Sequence, residues 1–216
     1  MRISPTSTFL RRAVIGAVAV GIGVLPAQAL GAAPADQGAK AKVIVDTDQY
    51  FDGSNAVLPF GCPDSSVYGQ TITIPQKVHK LTKFTFRMSG QAAAGQSMVV
   101  RGEVYGWNGT TATTAVAESK PMTIAFDNAD YNLVTFKVKA AAVKPGQEYV
   151  VFASIDKDYE DCTGNYTLVW GSVDGTKYGD GQFVFQNNRG NEDNWTSGPW
   201  TPIGGLDAAT KVYGSK

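Results

Sequence analysis

The chain has 216 residues with 19 basic and 19 acidic side chains, and 43% of it is hydrophobic. This balance excludes the basic excess of a typical nucleic-acid-binding protein, and the frequent Val, Phe, Tyr and Trp residues exclude an intrinsically disordered chain. The length fits one domain with a substantial core, although length alone also permits two small domains.

The first predicted element is a secretory signal peptide over residues 1–29. Three arginines precede an apolar run of about a dozen residues, and Ala27-Gln28-Ala29 places small residues at positions −3 and −1 of a cleavage site. The run is too short to span a bilayer, which takes roughly 20 apolar residues. Cleavage after Ala35 is the alternative. We therefore expect a secreted, extracellular protein without a membrane span.

Removal of the signal peptide changes the charge balance of the remaining chain. Loss of its three arginines leaves 16 basic and 19 acidic residues, a net charge of −3. This modest negative charge argues against a nucleic-acid or anionic-membrane partner and suits a soluble monomer. Residues 30–42 are rich in Ala, Gly and Lys without periodicity, which predicts a flexible tether before a single domain at 43–216.

Short β-branched and aromatic segments recur at intervals of about ten residues and predict strands. The predicted strands are 43–47, 67–74, 81–88, 98–107, 122–126, 133–138, 149–155, 166–170, 182–186 and 209–213. Phe84, Phe86 and Met88 alternate with polar residues, whereas 149–155 is apolar on both faces and predicts a central strand. With turn signals such as Asn108-Gly109, this pattern predicts an all-β antiparallel β-sandwich of about ten strands, in a jelly-roll arrangement.

The only two cysteines, Cys62 and Cys162, lie beside turn residues. In an oxidising compartment they predict one disulfide between two distant loops, and two free thiols are the alternative. Closing about a hundred residues would contribute at most about 4–5 kcal/mol on the chain-entropy model. A catalytic cysteine would need a histidine within reach, and the chain has only His79.

Three segments resemble bacterial secreted jelly-roll domains of the galactose-binding-like type. They are 104–109 (VYGWNG), 143–152 (VKPGQEYVVF) and the stretch from Trp195 to Tyr213, in that order. The resemblance implies a sandwich fold of the kind found in accessory and cell-surface modules. The closing segment departs from the family pattern, with Ala209-Thr210 where an apolar aromatic pair is usual, so no family binding residue is carried over.

The polar stretch 187–200 carries the predicted ligand site. An indole face can pack on the C–H groups of a sugar, while amide, carboxylate and guanidinium groups take its hydroxyls. The candidate ligand-binding residues are Trp195, Trp200, Asn187, Asn188, Arg189, Asn191, Asp193 and Trp107. The alternative is structural, with one or both of the late tryptophans capping the open end of the sandwich.

One loop concentrates acidic residues and predicts a structural calcium site. Its candidate ligands are Asp156, Asp158, Glu160 and Asp161. Carboxylate oxygens are the hard ligands that a hard cation prefers. A loop that keeps these side chains in water explains the same pattern. No other cofactor is expected.

Signatures of catalysis are mostly missing, and no catalytic residue is predicted. A single histidine excludes a His-rich metal centre and makes a Ser-His-Asp triad depend on His79 alone. A two-carboxylate glycosidase stays open, but its candidate Glu103 shares a strand face with Arg101 and is more simply a cross-strand ion pair.

Three hypotheses of function follow. The first is a secreted, non-catalytic module that binds a glycan or cell-surface ligand through its end loops. The second is a structural or protein-binding surface protein, and the third is a small jelly-roll glycoside hydrolase.

Overall fold

The computed structural model describes residues 40–61, 66–90, 96–125, 130–161 and 167–216, with the backbone alone for residues 58, 59, 66 and 159–161. Cys62, Cys162 and the predicted signal peptide lie outside these residues, so the disulfide and the cleavage site stay predictions. In the described ranges, no helix is long and apolar enough to cross a membrane.

The described part of the chain forms fourteen strands and three short helical turns. The strands are β1 (Lys42–Asp46), β2 (Ala56–Gly61), β3 (Ser66–Thr73), β4 (Lys80–Gly90), β5 (Ser97–Trp107), β6 (Ala112–Glu118), β7 (Met122–Ala125), β8 (Asn132–Ala142), β9 (Glu148–Ser154), β10 (Thr167–Asp174), β11 (Phe183–Asn187), β12 (Thr201–Pro202), β13 (Leu206–Ala208) and β14 (Thr210–Ser215). The turns are α1 (Asn194–Ser197) and two 3₁₀ segments, Asp48–Tyr50 and Asp156–Asp161.

All ten predicted strands are present, but the count was too low by four. The strands that the sequence did not predict are β2, β6, β12 and β13. A proline interrupts β2, small and polar residues fill β6 (ATTAVAE), and β12 and β13 are only two and three residues long. Each therefore lacks the run of β-branched and aromatic residues from which a strand is predicted.

Two antiparallel sheets pack as a sandwich, which confirms the predicted fold class. The first sheet has the order β1-β14-β4-β10-β13, with β2 also paired to β10 and β8 to β4. The second has the order β12-β11-β3-β9-β5-β6, with β7 also paired to β5. Consecutive long strands alternate between the sheets: β3, β5, β9 and β11 lie in the second, and β4, β8, β10 and β14 in the first. Strands that cross repeatedly from one sheet to the other are typical of double-sheet folds, among them the predicted jelly roll.

The main core fills the space between the facing sides of the two sheets. Aromatic rings dominate it, with Phe84 stacked on Phe136 at 5.3 Å between ring centroids and Phe86 against Trp170 at 4.4 Å. Strand β9 lies between β3 and β5 in the second sheet, and its residues from Tyr149 to Ser154 are all buried. The prediction of a central strand is therefore confirmed.

Candidate functional site

The candidate functional side chains lie on the outer face of the second sheet, which points away from the first sheet. Strand register places Glu103 of β5 opposite Phe152 of β9, and Tyr105 opposite Val150. Along this face lie three zones: a charged cluster at one end, an apolar zone in the middle and a polar groove at the other end. The zones are described in turn because each contains residues that the sequence singled out.

The apolar middle zone buries both late tryptophans. Trp195 is 1% exposed and Trp200 is 4% exposed, and their rings lie 5.0 and 5.1 Å from the ring of Phe152. The expectation of two exposed indoles is therefore wrong. The structural alternative agrees better with the observed packing of the two rings. However, the rings cover the outer face of the second sheet rather than the open end of the sandwich. They lie there because Val150 and Phe152 present apolar surface that must be kept from water.

Hydrogen bonds fix the tryptophans in this position. The Trp195 indole Nε1 donates to Asp156 Oδ2 at 2.7 Å, and Asn188 Nδ2 donates to the same oxygen. The Trp200 Nε1 donates to the Trp195 carbonyl at 2.9 Å. Gln186 Nε2 donates to the carbonyls of Asn194 and Gly198 at 2.8 and 3.0 Å. Polar residues of this stretch thus satisfy buried groups, which is the usual role of a buried amide.

The remaining polar candidates of the stretch form its surface turns. Asn187, Arg189, Asn191 and Asp193 are exposed, and Arg189 adopts a positive φ of 51°. The Asn191 Oδ1 accepts a hydrogen bond from the Asp193 backbone N–H at 3.1 Å. A role for these four residues in ligand binding stays a prediction.

The acidic loop is used partly by the protein itself. Asp156 is buried and bonded to Trp195, and Asp158 Oδ2 accepts from Arg101 Nε at 3.2 Å. The side chains of Glu160 and Asp161 lie outside the description. Among the described residues, no three His, Cys, Asp or Glu side chains are grouped as metal ligands. The calcium site stays a prediction, with two of its four candidates already bonded to protein donors.

The charged cluster surrounds Lys157. It lies at the end of the outer face where Glu103 of β5 pairs with Glu118 of β6. Glu103 and Glu118 are direct partners across β5 and β6, so two carboxyl groups face each other. The Lys157 Nζ hydrogen-bonds Glu118 Oε2 and lies 3.8 Å from Glu103 Oε1 and 4.0 Å from Glu192 Oε2. The Arg101 Nη1 donates to Glu118 Oε1 at 3.1 Å. The cation nearest to Glu103 is therefore Lys157 of another element, and not Arg101 of the same strand face.

Burial gives Glu103 an unusual ionisation. The residue is 2% exposed, and its Oε1 accepts no hydrogen bond from any residue that the structure describes. Burial first, and then the charge of Glu118, raise the pKa of Glu103 to about 8, against the opposing effect of Lys157. A carboxyl group so enclosed is inaccessible to a polysaccharide. The glycosidase hypothesis therefore loses Glu103, its candidate catalytic acid.

The polar groove at the opposite end is here called the end groove. Its volume is about 390 Å³, and it is lined by Thr71, Thr73, Trp107, Gly109, Glu148, Gly179, Asp180, Gly181 and Gln182. Trp107 is 9% exposed and packs edge-on against Trp200 at 5.9 Å between centroids. Its indole N–H and the carboxylates of Glu148 and Asp180 have no hydrogen-bond or ion-pair partner among the described side chains and backbone.

One wall of the end groove is a turn that is tied firmly to β3. The Tyr178 hydroxyl accepts from the Thr73 N–H at 3.1 Å, and the Thr73 Oγ1 donates to the Asp180 carbonyl at 3.0 Å. The Asp207 Oδ2 accepts from the N–H groups of Lys177 and Tyr178 at 2.7 and 2.8 Å. Gly181 is required here because a Cβ atom would overlap the Thr71 carbonyl. The groove is therefore preformed.

Sequence reasoning found one residue of the end groove and missed the rest. Trp107 was a candidate, and it lines the groove at the end of β5. Thr73 and Glu148 are 75 positions apart, and only the register of β3 with β9 makes them partners. The glycines at 179 and 181 were visible solely as turn signals. No local pattern marks these residues as one site.

Comparisons with known proteins leave the family open. No protein-family model and no curated protein matches the sequence. A solved structure of the cysteine protease and lectin-like domains of Cwp84, a surface layer associated protein of Clostridium difficile, aligns with a TM-score of 0.38 and 10% identity. The alignment covers 70% of this chain and 32% of that one, so the chain spans about a third of its length. A likeness this low supports no argument about function.

Proposed function

We propose that this protein is a secreted, non-catalytic β-sandwich module that binds a neutral or amino-substituted glycan in the end groove. One observation carries the proposal: Trp107, Glu148 and Asp180 line the same groove, and neither carboxylate nor the indole N–H has a hydrogen-bond partner among the described residues. Sugar hydroxyls need such planar donors and acceptors, and an indole edge adds apolar contact.

The charge of the groove narrows the class of glycan. Among the described residues that line it, both charged ones, Glu148 and Asp180, are acidic, and none is Lys or Arg. Two carboxylates repel uronate and sulfate groups but accept hydrogen bonds from hydroxyls and attract an ammonium group. The volume of about 390 Å³ lies at the lower end of ligand pockets, which hold roughly 300–1,000 Å³, and suits a short saccharide.

The test is a glycan array followed by affinity electrophoresis on polysaccharides. We expect the double variant Glu148→Gln with Asp180→Asn to bind its best glycan about 5 to 150 times more weakly, because each lost hydrogen bond contributes roughly 0.5–1.5 kcal/mol, or roughly 1–3 kcal/mol together. Asp130→Asn with Asp174→Asn is the matched control, since both residues are exposed and do not line the groove. This control should bind as the wild type does.

Two outcomes would overturn the proposal. One is the absence of glycan binding, which, combined with capture of a purified protein ligand, would favour the protein-binding alternative. The other is binding that the groove variant leaves unchanged.

Secretion with a Cys62–Cys162 disulfide completes the proposal. Gly61, next to the first cysteine in the chain, is the register partner of Thr167, five residues after the second. This pairing supports the bridge because it joins the two chain regions that carry the cysteines. Thiol alkylation and mass measurement of the natively exported protein should find no free thiol and a mass two hydrogens below that of the reduced chain. Two alkylated cysteines would refute the bridge.

A further inference from the structure

A second groove lies at the free edge of β8 and is here called the lysine groove. Its volume is about 660 Å³, and it is lined by Glu118, Ser119, Lys120, Met122, Thr135, Lys137, Val138 and Lys139. One wall is the connection from β6 to β7, and the other is β8, joined to it by a bridge between Ser119 and Val138. It shares no lining residue with the end groove.

The groove combines an apolar floor with uncompensated positive charge. The lining is mostly apolar, and the partly exposed Met122 contributes to it, whereas Val138 is buried in the main core with 4% exposure. Lys120, Lys137 and Lys139 are exposed, and none forms an ion pair with a described residue. The carboxylate at the rim does not neutralise them, because Glu118 is already paired with Arg101 and Lys157.

Strand pairing concentrates the positive charge further. Lys137 stands directly opposite Lys83 of β4, whose Nζ lies 4.1 Å from the centre of the Tyr213 ring. Like charges opposite each other across strands are destabilising. Lysines on an edge strand do protect against edge-to-edge aggregation, which accounts for Lys137 and Lys139. That protection does not account for Lys120 on the other wall or for the apolar floor.

We propose that the lysine groove binds an amphipathic anion, a carboxylate with a linear alkyl chain. The alkyl chain would lie on Met122 and the apolar lining around it, and the carboxylate would be held by the lysine ammonium groups. An acidic polysaccharide fits less well, because the groove has no aromatic ring for a sugar, and the Ser119 hydroxyl already bonds the Lys120 carbonyl. Charge complementarity with the lysines favours an anionic group, and the apolar lining favours an alkyl chain.

The experiment is calorimetric titration of the purified protein with decanoate below its micelle concentration. Decanol and decyltrimethylammonium serve as neutral and cationic probes with the same chain. We expect decanoate to bind at least tenfold more tightly than either, and added salt to weaken its binding. The triple variant Lys120→Gln, Lys137→Gln and Lys139→Gln should lose about tenfold in affinity, since exposed charge pairs contribute little each.

The matched control removes three exposed lysines elsewhere, with Lys42→Gln, Lys77→Gln and Lys144→Gln. It should bind decanoate as the wild type does. Met122→Ser should weaken decanoate binding without changing the preference for the anion. Equal binding of the cationic probe, an unaffected triple variant, or tighter binding of polygalacturonate than of decanoate would each overturn the proposal. Because the grooves share no residue, these outcomes are independent of the glycan array.

Discussion

Replacing Glu103 by glutamine is expected to raise the free energy of unfolding by about 4–5 kcal/mol at pH 9, and to change it little at pH 4. The folded protein raises the pKa of Glu103 from 4.5 to about 8, so the native state keeps a proton that the unfolded chain releases. The contribution of Glu103 to the stability of the wild type therefore falls as the pH rises from about 4.5 to 8. Each pKa unit corresponds to about 1.4 kcal/mol. Glutamine, which resembles the protonated acid, avoids this loss.

The glutamate opposite provides a control of opposite sign. Burial works to raise the pKa of Glu118, but Lys157 and Arg101 outweigh it and lower that pKa. Its charged form is thus favoured in the folded protein, and Glu118→Gln should destabilise at neutral pH, with the difference shrinking as the pH falls. Urea unfolding at pH 4, 7 and 9 measures the free energy of unfolding of the wild type, of Glu103→Gln and of Glu118→Gln. A stability difference for Glu103→Gln that does not vary with pH would contradict the assigned protonation.

Trp195→Ala is expected to lower the free energy of unfolding by about 3–5 kcal/mol, the usual cost of removing a large buried aromatic side chain. The ring is 1% exposed and lies 5.0 Å from Phe152 and 5.6 Å from Tyr105. The substitution also removes the indole donor to Asp156. Urea unfolding monitored by circular dichroism gives the value.

Trp195→Phe separates the packing from the hydrogen bond. Phenylalanine keeps most of the apolar contact but leaves the Asp156 carboxylate without its indole donor, so its cost should be smaller, about 1–3 kcal/mol. A stability for Trp195→Ala within about 0.5 kcal/mol of the wild type would be typical of a surface residue. That result would return Trp195 to the list of ligand-facing residues.

Sequence reasoning left the position of the tryptophans open between a ligand-facing and a structural role, although a signal for their burial existed. The stretch 187–200 is polar, and its composition suggested exposure. Yet 149–155 is apolar on both faces, so some other segment had to cover the outer face of this strand. Val150 and Phe152 are covered by Trp195 and Trp200, which supply the missing apolar surface. A search for the segment that could cover the outer apolar face of 149–155 would have predicted the burial of both tryptophans.

Sites assembled by register were beyond the reach of a single sequence. The alternation of apolar and polar residues along the sequence identified the long strands, because successive side chains of a strand point to opposite faces of the sheet. It did not identify β6, and without β6 the pairing of Glu103 with Glu118 could not be foreseen. The end groove has the same origin, since Thr73 meets Glu148 only through the pairing of β3 with β9.

The central claim is that ligand binds in the end groove and not at Trp195 and Trp200. Nitrogen–proton correlation spectra recorded during titration with the best glycan of the array test it directly. We predict saturable shifts of the Trp107 indole N–H and of the Gly181 and Gln182 amides. The Trp195 indole N–H, bonded to Asp156, should stay in place. Shifts confined to the Trp195 and Trp200 indoles, with the Trp107 signal unmoved, would contradict the claim.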